Sequence, residues 1–432
     1  MRLLGAALVA LVLAGAAPAR ADAGSTLNDS AREASLAGAM TGRAGDLSSI
    51  HGNPAGLAGL RTSEVALYGS AGRFRLDFAR TGEPGQRTDR LVAGYGVSLG
   101  VRLPGPDWLQ RFRVGVSLAL PAEHILRVRA PSRADAPLPA LYDARIERTA
   151  LTASVAVELP GHVSLGVGVT IAPSLWAPTT VTYDPARGST PDEGVIVSLD
   201  REVRFEGAFL AGARVQPVPE LAIGLAYHQA VVTRAHGPSD LSAGPVHAGD
   251  PIDFTLFYEP DQWSVGALFE PTPELSISVD GTWARWSSYR TLHSAVPDPP
   301  FHDVVLVRAG IEWRARPFFA WRIGYGLEPT PVPAQVASTT LLDADRHVLA
   351  TGLGLDLGPL AGWPVRIDLY GRLHAIGAVS AERDRSRLPD ADPSTPGQQI
   401  TDLGYPSFGA RLGLFQLGLT VTVVLGRPAR AP

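Results

Sequence analysis

Histidine and serine are the first residue types to weigh for chemistry. His124, His228 and His374 fall in segments that read as β-strand, and serines are scattered throughout. Nucleophilic or phosphoryl-transfer chemistry would need such side chains at a nucleophile elbow, on an HExxH helix or in a glycine-rich phosphate loop. None of these occurs in usable context. The 432 residues include no cysteine, which excludes thiol nucleophiles, zinc ribbons and disulfides. No catalytic residue, metal or cofactor is expected, and the chain reads as something other than an enzyme. Three other sets of residues carry physical meaning. Glu158, Arg308, Glu312, Arg322, Asp356, Arg366 and Asp368 stand at the polar positions of alternating segments, where they would pair across a wet interior and anchor whatever fills it. Trp176, Trp286 and Tyr289 sit toward the loop ends of strands, as does Tyr183, while Trp263, Trp313, Trp321 and Trp363 lie toward the turn ends. Two such bands suit interfacial aromatic girdles, and the outer aromatics equally suit a groove for an apolar molecule. Pro121, Pro173 and Pro260 interrupt strand patterns, and a residue without an N–H marks a kink in a sheet ladder.

The elements that position these residues are strands. In Val163–Ile171 the odd-numbered positions Val163, Leu165, Val167, Val169 and Ile171 oppose Ser164, Gly166, Gly168 and Thr170. Leu275, Ile277, Val279 and Trp283 oppose Ser276, Ser278, Asp280 and Thr282, and Leu417, Leu419, Val421 and Val423 oppose Gln416, Gly418, Thr420 and Thr422. Successive strand side chains face opposite sides, so each segment has one apolar face and one small or polar face.

The connections alternate in length. Short turns lie near Pro104–Pro106, Pro160–Gly161, Pro217–Pro219, Pro271–Pro273, Arg316–Pro317 and Pro359–Pro364. Longer polar connections fall around Arg80–Asp89, Pro131–Asp143, Asp184–Gly194, His236–Asp250, Thr291–His302, Pro329–Asp345 and Ala381–Pro406. Six turns and seven loops imply fourteen antiparallel strands, with short turns at one end and long loops at the other. That asymmetry belongs to membrane barrels. Fourteen strands enclose a lumen too wide for small side chains to fill, so the apolar face should meet lipid. The expected fold is an all-β, 14-stranded antiparallel transmembrane barrel spanning residues 63–426.

Composition agrees. Charged residues make up 19% and apolar residues 45%, far too polar for a helical membrane protein, whereas a barrel hides its lipid face in alternation. The net charge of −4, with no strongly basic half, excludes nucleic acid as a partner. Arg2, the apolar run Leu3–Ala17 and Ala19-Arg20-Ala21 read as a secretory signal peptide over residues 1–21. Residues 22–62 do not look like strand: Ser30–Thr41 suits a short capped helix, and Asn53-Pro54 forces a turn. Such a preface is either a periplasmic tail or a plug in the lumen, where irregular backbone is tolerated. A general porin for polar solutes shares the barrel pattern but needs no plug, so this segment discriminates the two.

Further residues carry a family resemblance. Ser30-Ala31-Arg32, Leu36–Met40, Asp46 and Asn53-Pro54-Ala55-Gly56-Leu57 resemble the N-terminal plug of the long-chain fatty acid outer-membrane transporters. Trp283–Tyr289, Arg322–Pro329 with Pro331-Val332-Pro333, and Leu342–His347 resemble later blocks of that family in order. The resemblance implies a plug at residues 22–62 held by Asn53, Pro54 and Ala55. It implies passive uptake of hydrophobic small molecules or fatty acids past the lipopolysaccharide of the outer leaflet, from an apolar pocket near the external loops. It also implies a sideways exit into outer-membrane lipid at Pro121, where the family carries a kink in its third strand, and insertion by the barrel-assembly machinery. One departure concerns that insertion. Such barrels usually end on an aromatic residue, but here the last strand runs to Leu425 and residues 427–432 form a tail.

Overall fold

The computed structural model describes residues 29–80, 84–122, 149–183, 195–243, 246–249, 252–290, 294, 296–297, 300–333, 343–382 and 407–425. The expected signal peptide, the tail 427–432 and His124 lie outside the described residues. Among the described residues twenty strands form. They are β1 (Ser63–Arg80), β2 (Gln86–Arg102), β3 (Phe112–Pro121), β4 (Ala150–Leu159), β5 (Val163–Trp176), β6 (Thr179–Tyr183) and β7 (Val195–Leu199). Next come β8 (Glu202–Val218), β9 (Leu221–His228), β10 (Val231–Gly237), β11 (Ser239–Ala243), β12 (Val246–Ala248) and β13 (Ile252–Glu259). The rest are β14 (Gln262–Thr272), β15 (Leu275–Ala284), β16 (Val304–Arg316), β17 (Phe319–Glu328), β18 (Arg346–Asp356), β19 (Val365–Glu382) and β20 (Ser407–Leu425).

The barrel wall has the fourteen strands that the turn rhythm predicts. It runs antiparallel through β1 to β5, then β8, β9 and β14 to β20, and closes where β20 pairs with β1. All six predicted short turns join wall neighbours at one end. The last encloses a helix, Leu357–Ala361, capped at its start by the Asp356 carboxylate and at its end by Gly362 at φ 74°, a left-handed conformation that glycine adopts without strain. The predicted faces also hold. Leu165, Val167, Val169, Leu417 and Leu419 are exposed on the outside, while Ser164, Ser276, Ser278, Gln416 and Thr420 are buried toward the lumen.

Near the loop end the polarity of the wall inverts without any change of phase. On β1 the inward row reads Glu64, Ala66, Tyr68 and Ser70 and then Phe74, Leu76 and Phe78, all buried. The outward row changes in the opposite sense, from Leu67 to Arg73, Arg75 and Asp77. The paired stretch of β20 matches it. Leu414, Leu412 and Ala410, opposite Phe74, Leu76 and Phe78, face in, while Arg411 faces out. The wall therefore rises above its lipid belt into a segment built like a soluble protein, apolar inside and charged outside.

Two long connections, expected only as polar loops, carry strands of their own. β6, β7, β11 and β12 make a separate four-stranded sheet. β10 and β13 continue the β9–β14 ladder, since His228↔Gln262 and Val231↔Glu259 lie on one register. Together they form a ribbon that bends inward at residues 229–230 and 260–261. Beyond the bend, Val231 and Phe257 pack on the inward-facing Ala172 and Ala208, and β10 meets β5 through Ala235↔Leu175 and His236↔Trp176. Pro260 stands at the bend, and its missing N–H suits a strand that leaves its ladder there.

Candidate functional site

The lumen is organised in three layers. At the bottom, residues 29–62 fill the barrel as a plug. Ser30 caps the helix Ala31–Ser35, Asp46 caps the turn Leu47–Ile50, and Asn53 caps Pro54–Gly59 by accepting from the Ala55 amide at 3.2 Å. The Asn53 side-chain amide also donates to the carbonyls of Thr41 at 2.7 Å and Ala213 at 3.3 Å, which ties the plug to itself and to β8. Leu47, Ile50, Leu57 and Leu60 pack together at the base. Close approach to the wall requires glycine. A Cβ at Gly166 would lie 2.4 Å from the Pro54 carbonyl carbon, and one at Gly224 would lie 1.9 Å from the Thr41 oxygen.

A charged belt fixes the plug to the opposite wall. Arg32 forks onto Glu312 with both contacts at 2.9 Å and reaches Asp46 at 3.2 Å. Arg322 joins Glu312 to Asp368, each at 2.6 Å. Arg372 meets Asp29 at 2.8 Å, the Thr41 amide donates to Asp280 at 2.7 Å, and Arg43 donates to Ser276 and Ser278. Burial pushes the Asp29 carboxyl up to about 6, more than the Arg372 charge lowers it. Asp46 goes the other way: the charge of Arg32 and the Ser48 hydrogen bonds outweigh burial and hold it below the usual carboxylate range. Burial, with the charge of Arg32, brings Arg43 down to about 10. Above the plug lies a cavity of about 140 Å³, walled by charged and polar side chains (Asp29, Glu33, His51, Arg308) and by apolar ones (Leu210, Val231, Val348).

The top layer is apolar. Phe74, Leu76, Phe78, Leu306, Leu412 and Leu414 from the wall meet Tyr258 of the bent ribbon and Trp286, Tyr289, Phe301 and Val332 of the loops in one buried cluster. Tyr289 stacks on Phe301 with centroids 4.5 Å apart and planes 7° apart, and Tyr258 stands edge-on to Tyr289 at 5.5 Å. This packed apolar cluster, called the cup below, lies at the loop end of the lumen.

The sequence-derived candidates divide between these layers. Asn53, Pro54 and Ala55 are buried in the plug. Trp286 is fully buried and Tyr289 nearly so, which removes both from an interfacial girdle and puts them in the cup. Trp176 is half-buried against Arg204 and His236, away from that cluster. Trp263 corrects its expected placement: it opens β14 at the loop end, opposite Tyr227 and Trp283, because the wall segment of that strand begins only after the bend at Pro260. Trp313, Trp321 and Trp363 keep the turn end. The side chain of Tyr183 lies outside the described residues. Glu312, Arg322 and Asp368 join the belt, Arg308 pairs with Glu328, and Arg366 pairs with Glu64. Glu158 is exposed near the turn end, and Asp356 caps a turn helix, so neither reaches the plug. Pro121 is the last residue of β3, inward-facing and paired with Gly94 in a β2–β3 register without a bulge. His228 bonds the Gly52 carbonyl and His374 bonds Gln416. Sequence reasoning missed Asp29, Arg43, Arg372 and the inward Phe74–Phe78 row. The last was visible as apolar residues alternating with Arg73, Arg75 and Asp77.

Solved structures with this architecture are known. A Pseudomonas aeruginosa FadL homologue superposes with a TM-score of 0.64 at 15% identity, covering 93% of this chain and 99% of that one. The Pseudomonas putida toluene transporter TodX gives 0.53 at 11% identity, covering 91% and 98%. The Ralstonia pickettii toluene transporter TbuX gives 0.50 at 12% identity, covering 91% and 98%. At these identities the likeness establishes the fold. A search of curated proteins finds no match. The model of the outer membrane protein transport protein family (OMPP1/FadL/TodX) matches residues 140–361, just over half the chain. The plugged fourteen-stranded barrel thus belongs to the OMPP1/FadL/TodX family of outer-membrane transport proteins.

Proposed function

We propose that this chain carries hydrophobic small molecules, such as long-chain fatty acids or monoaromatic hydrocarbons, passively across the lipopolysaccharide leaflet and releases them sideways into the bilayer. The observation that carries this reading is the layering of the lumen, an apolar cup at the loop end directly above a charged belt and a plug. An apolar molecule gains by leaving water for the cup, at about 25 cal/mol per Å² of surface buried. It would lose that gain on entering the belt. A general porin is disfavoured because the plug occupies the lumen. The reading involves no catalytic step, cofactor or metal.

Leu306→Asn tests it. An amide buried in the cup without a partner costs roughly 1–3 kcal/mol, which converts to a loss of about 5- to 150-fold in affinity for a hydrocarbon. Uptake of radiolabelled oleate or toluene by cells with matched surface levels of the barrel is expected to fall accordingly, while arabinose permeation stays unchanged. Undiminished uptake of both probes would exclude the cup as the binding site.

A further inference from the structure

The resemblance to fatty acid transporters places a wall opening at Pro121. The described β2–β3 ladder runs without a register shift to Gly94↔Pro121, and the described β3–β4 ladder runs without one as far as Ala119↔Ala150. A different part of the wall comes apart. β8 pairs with β9 only as far as Leu210↔His228, although β8 itself continues to Glu202. Above Leu210 the next wall ribbon has swung inward as β10 and β13. On that side the Glu202–Ala208 stretch of β8 keeps no ladder partner among the described residues.

One residue bridges the parting strands. The Gln229 backbone N–H donates to the Phe209 carbonyl at 2.8 Å, and its side-chain oxygen accepts from the Phe209 N–H at 3.0 Å. Gln229 therefore stands in for the strand that has left. Gln229 and Phe209 are exposed on the outside of the barrel and also line the internal cavity, so the wall here is one residue thick between lumen and lipid. The outer lip is apolar, with Phe205 69% and Val203 51% exposed, which places the gap against hydrocarbon. The bend itself is well organised. The Asp261 carboxylate accepts from the Ala230 N–H and the Tyr227 hydroxyl, both at 3.1 Å, next to Pro260. A strand bent away in this way leaves a slot, with the Gln229–Phe209 hydrogen bonds at its base.

We infer that the sideways exit is the slot between β8 and the inward-bent ribbon, with the Gln229–Phe209 clip as its latch. The inference rests on the transport reading above and concerns where the molecule leaves. Because the chain has no cysteine, a reversible covalent lock can test it in the full-length protein. Phe209 and Gln229 continue the Leu210↔His228 register, and paired antiparallel residues lie about 5.5 Å apart at Cα, within disulfide range. The double variant Phe209→Cys with Gln229→Cys should take up radiolabelled oleate and toluene when reduced. It should fall to the level of cells lacking the barrel when oxidised, and recover on reduction. A matched lock at Tyr95→Cys with Leu120→Cys, an outward pair beside Pro121, should leave uptake unaffected. Reduced-state uptake reports on transport itself, and the oxidised-to-reduced ratio reports on the slot. A ratio near one for the first lock overturns the assignment, and so does loss of uptake with the second lock alone.

Discussion

At the scale of single residues, the plug is held by charges that have no water to fall back on. Glu312 receives Arg32, Arg314 and Arg322, so its two oxygens serve three guanidinium groups. Removing Arg32 or Arg322, the two more deeply buried partners, leaves the Glu312 charge undercompensated and costs several kcal/mol, far more than a surface pair. Asp29 is the weak point of the belt. A carboxyl whose pKa rises on docking binds its proton more tightly docked than free. With a docked value of about 6 and a free value near 3.8, plug docking should strengthen as pH falls from about 6 toward 4 and level off below that. Above pH 6 the burial penalty of Asp29 is felt in full. Hydrogen exchange of the Ala31–Ser35 amides, corrected for intrinsic rates, is expected to show this slope, and Asp29→Asn should flatten it. An equal slope in both proteins would assign the titration to another group.

At the scale of elements, the wall is shaped to admit the plug. Gly166, Gly212 and Gly224 lie on neighbouring strands where the plug backbone or Asn53 occupies the space of a side chain. Gly224→Val forces its first carbon against the Thr41 oxygen, and overpacking of this kind costs about 1–3 kcal/mol or more. Since the β8–β9–β14 ladder can accept valine, the barrel should still fold, with heat-shifted gel mobility like the parent. Its residues 29–60 should become cleavable by protease, and a plug as resistant as the parent's would show that the glycine is not needed. Much of this scale was legible beforehand. Alternation and turn length are local signals, so the fourteen wall strands and the Asn53-Pro54-Ala55 cap could be read residue by residue. The cup could not. A single polarity per strand puts apolar residues toward lipid, whereas Phe74, Leu76 and Phe78 point inward once β1 rises clear of the belt. Only the register with β20 reveals that their partners invert too. The Pro rule marks positions where a ladder can break. It applies at Pro260, where a wall strand bends inward, and the described end of β3 at Pro121 carries no bulge. Pairs such as Asp29–Arg372 join residues far apart in sequence, and no spacing announces them.

At the scale of the whole molecule, the three layers set two different resistances along one axis. Ions and small polar solutes are indifferent to the cup but are stopped by the plug. On the proposed reading an apolar molecule is collected by the cup and stopped by the belt, which would strip it of its apolar surroundings and offer unsatisfied charge in return. Removing the plug should therefore separate the two kinds of traffic. Deleting Asp22–Leu60 is expected to raise ion conductance in planar bilayers several-fold, because a fourteen-stranded wall without its filling leaves an aqueous lumen. The same deletion should not raise uptake of oleate or toluene. Glu312, Arg322, Asp368 and Arg372 remain on the wall as a charged ring, and the proposed route through the slot beside β8 lies above it. If hydrocarbon uptake climbs in step with conductance, the apolar route is axial. If conductance is unchanged, residues 29–60 do not obstruct the lumen in the membrane. Only higher conductance with unaltered hydrocarbon uptake fits a molecule in which the plug governs the axis and the wall governs the exit.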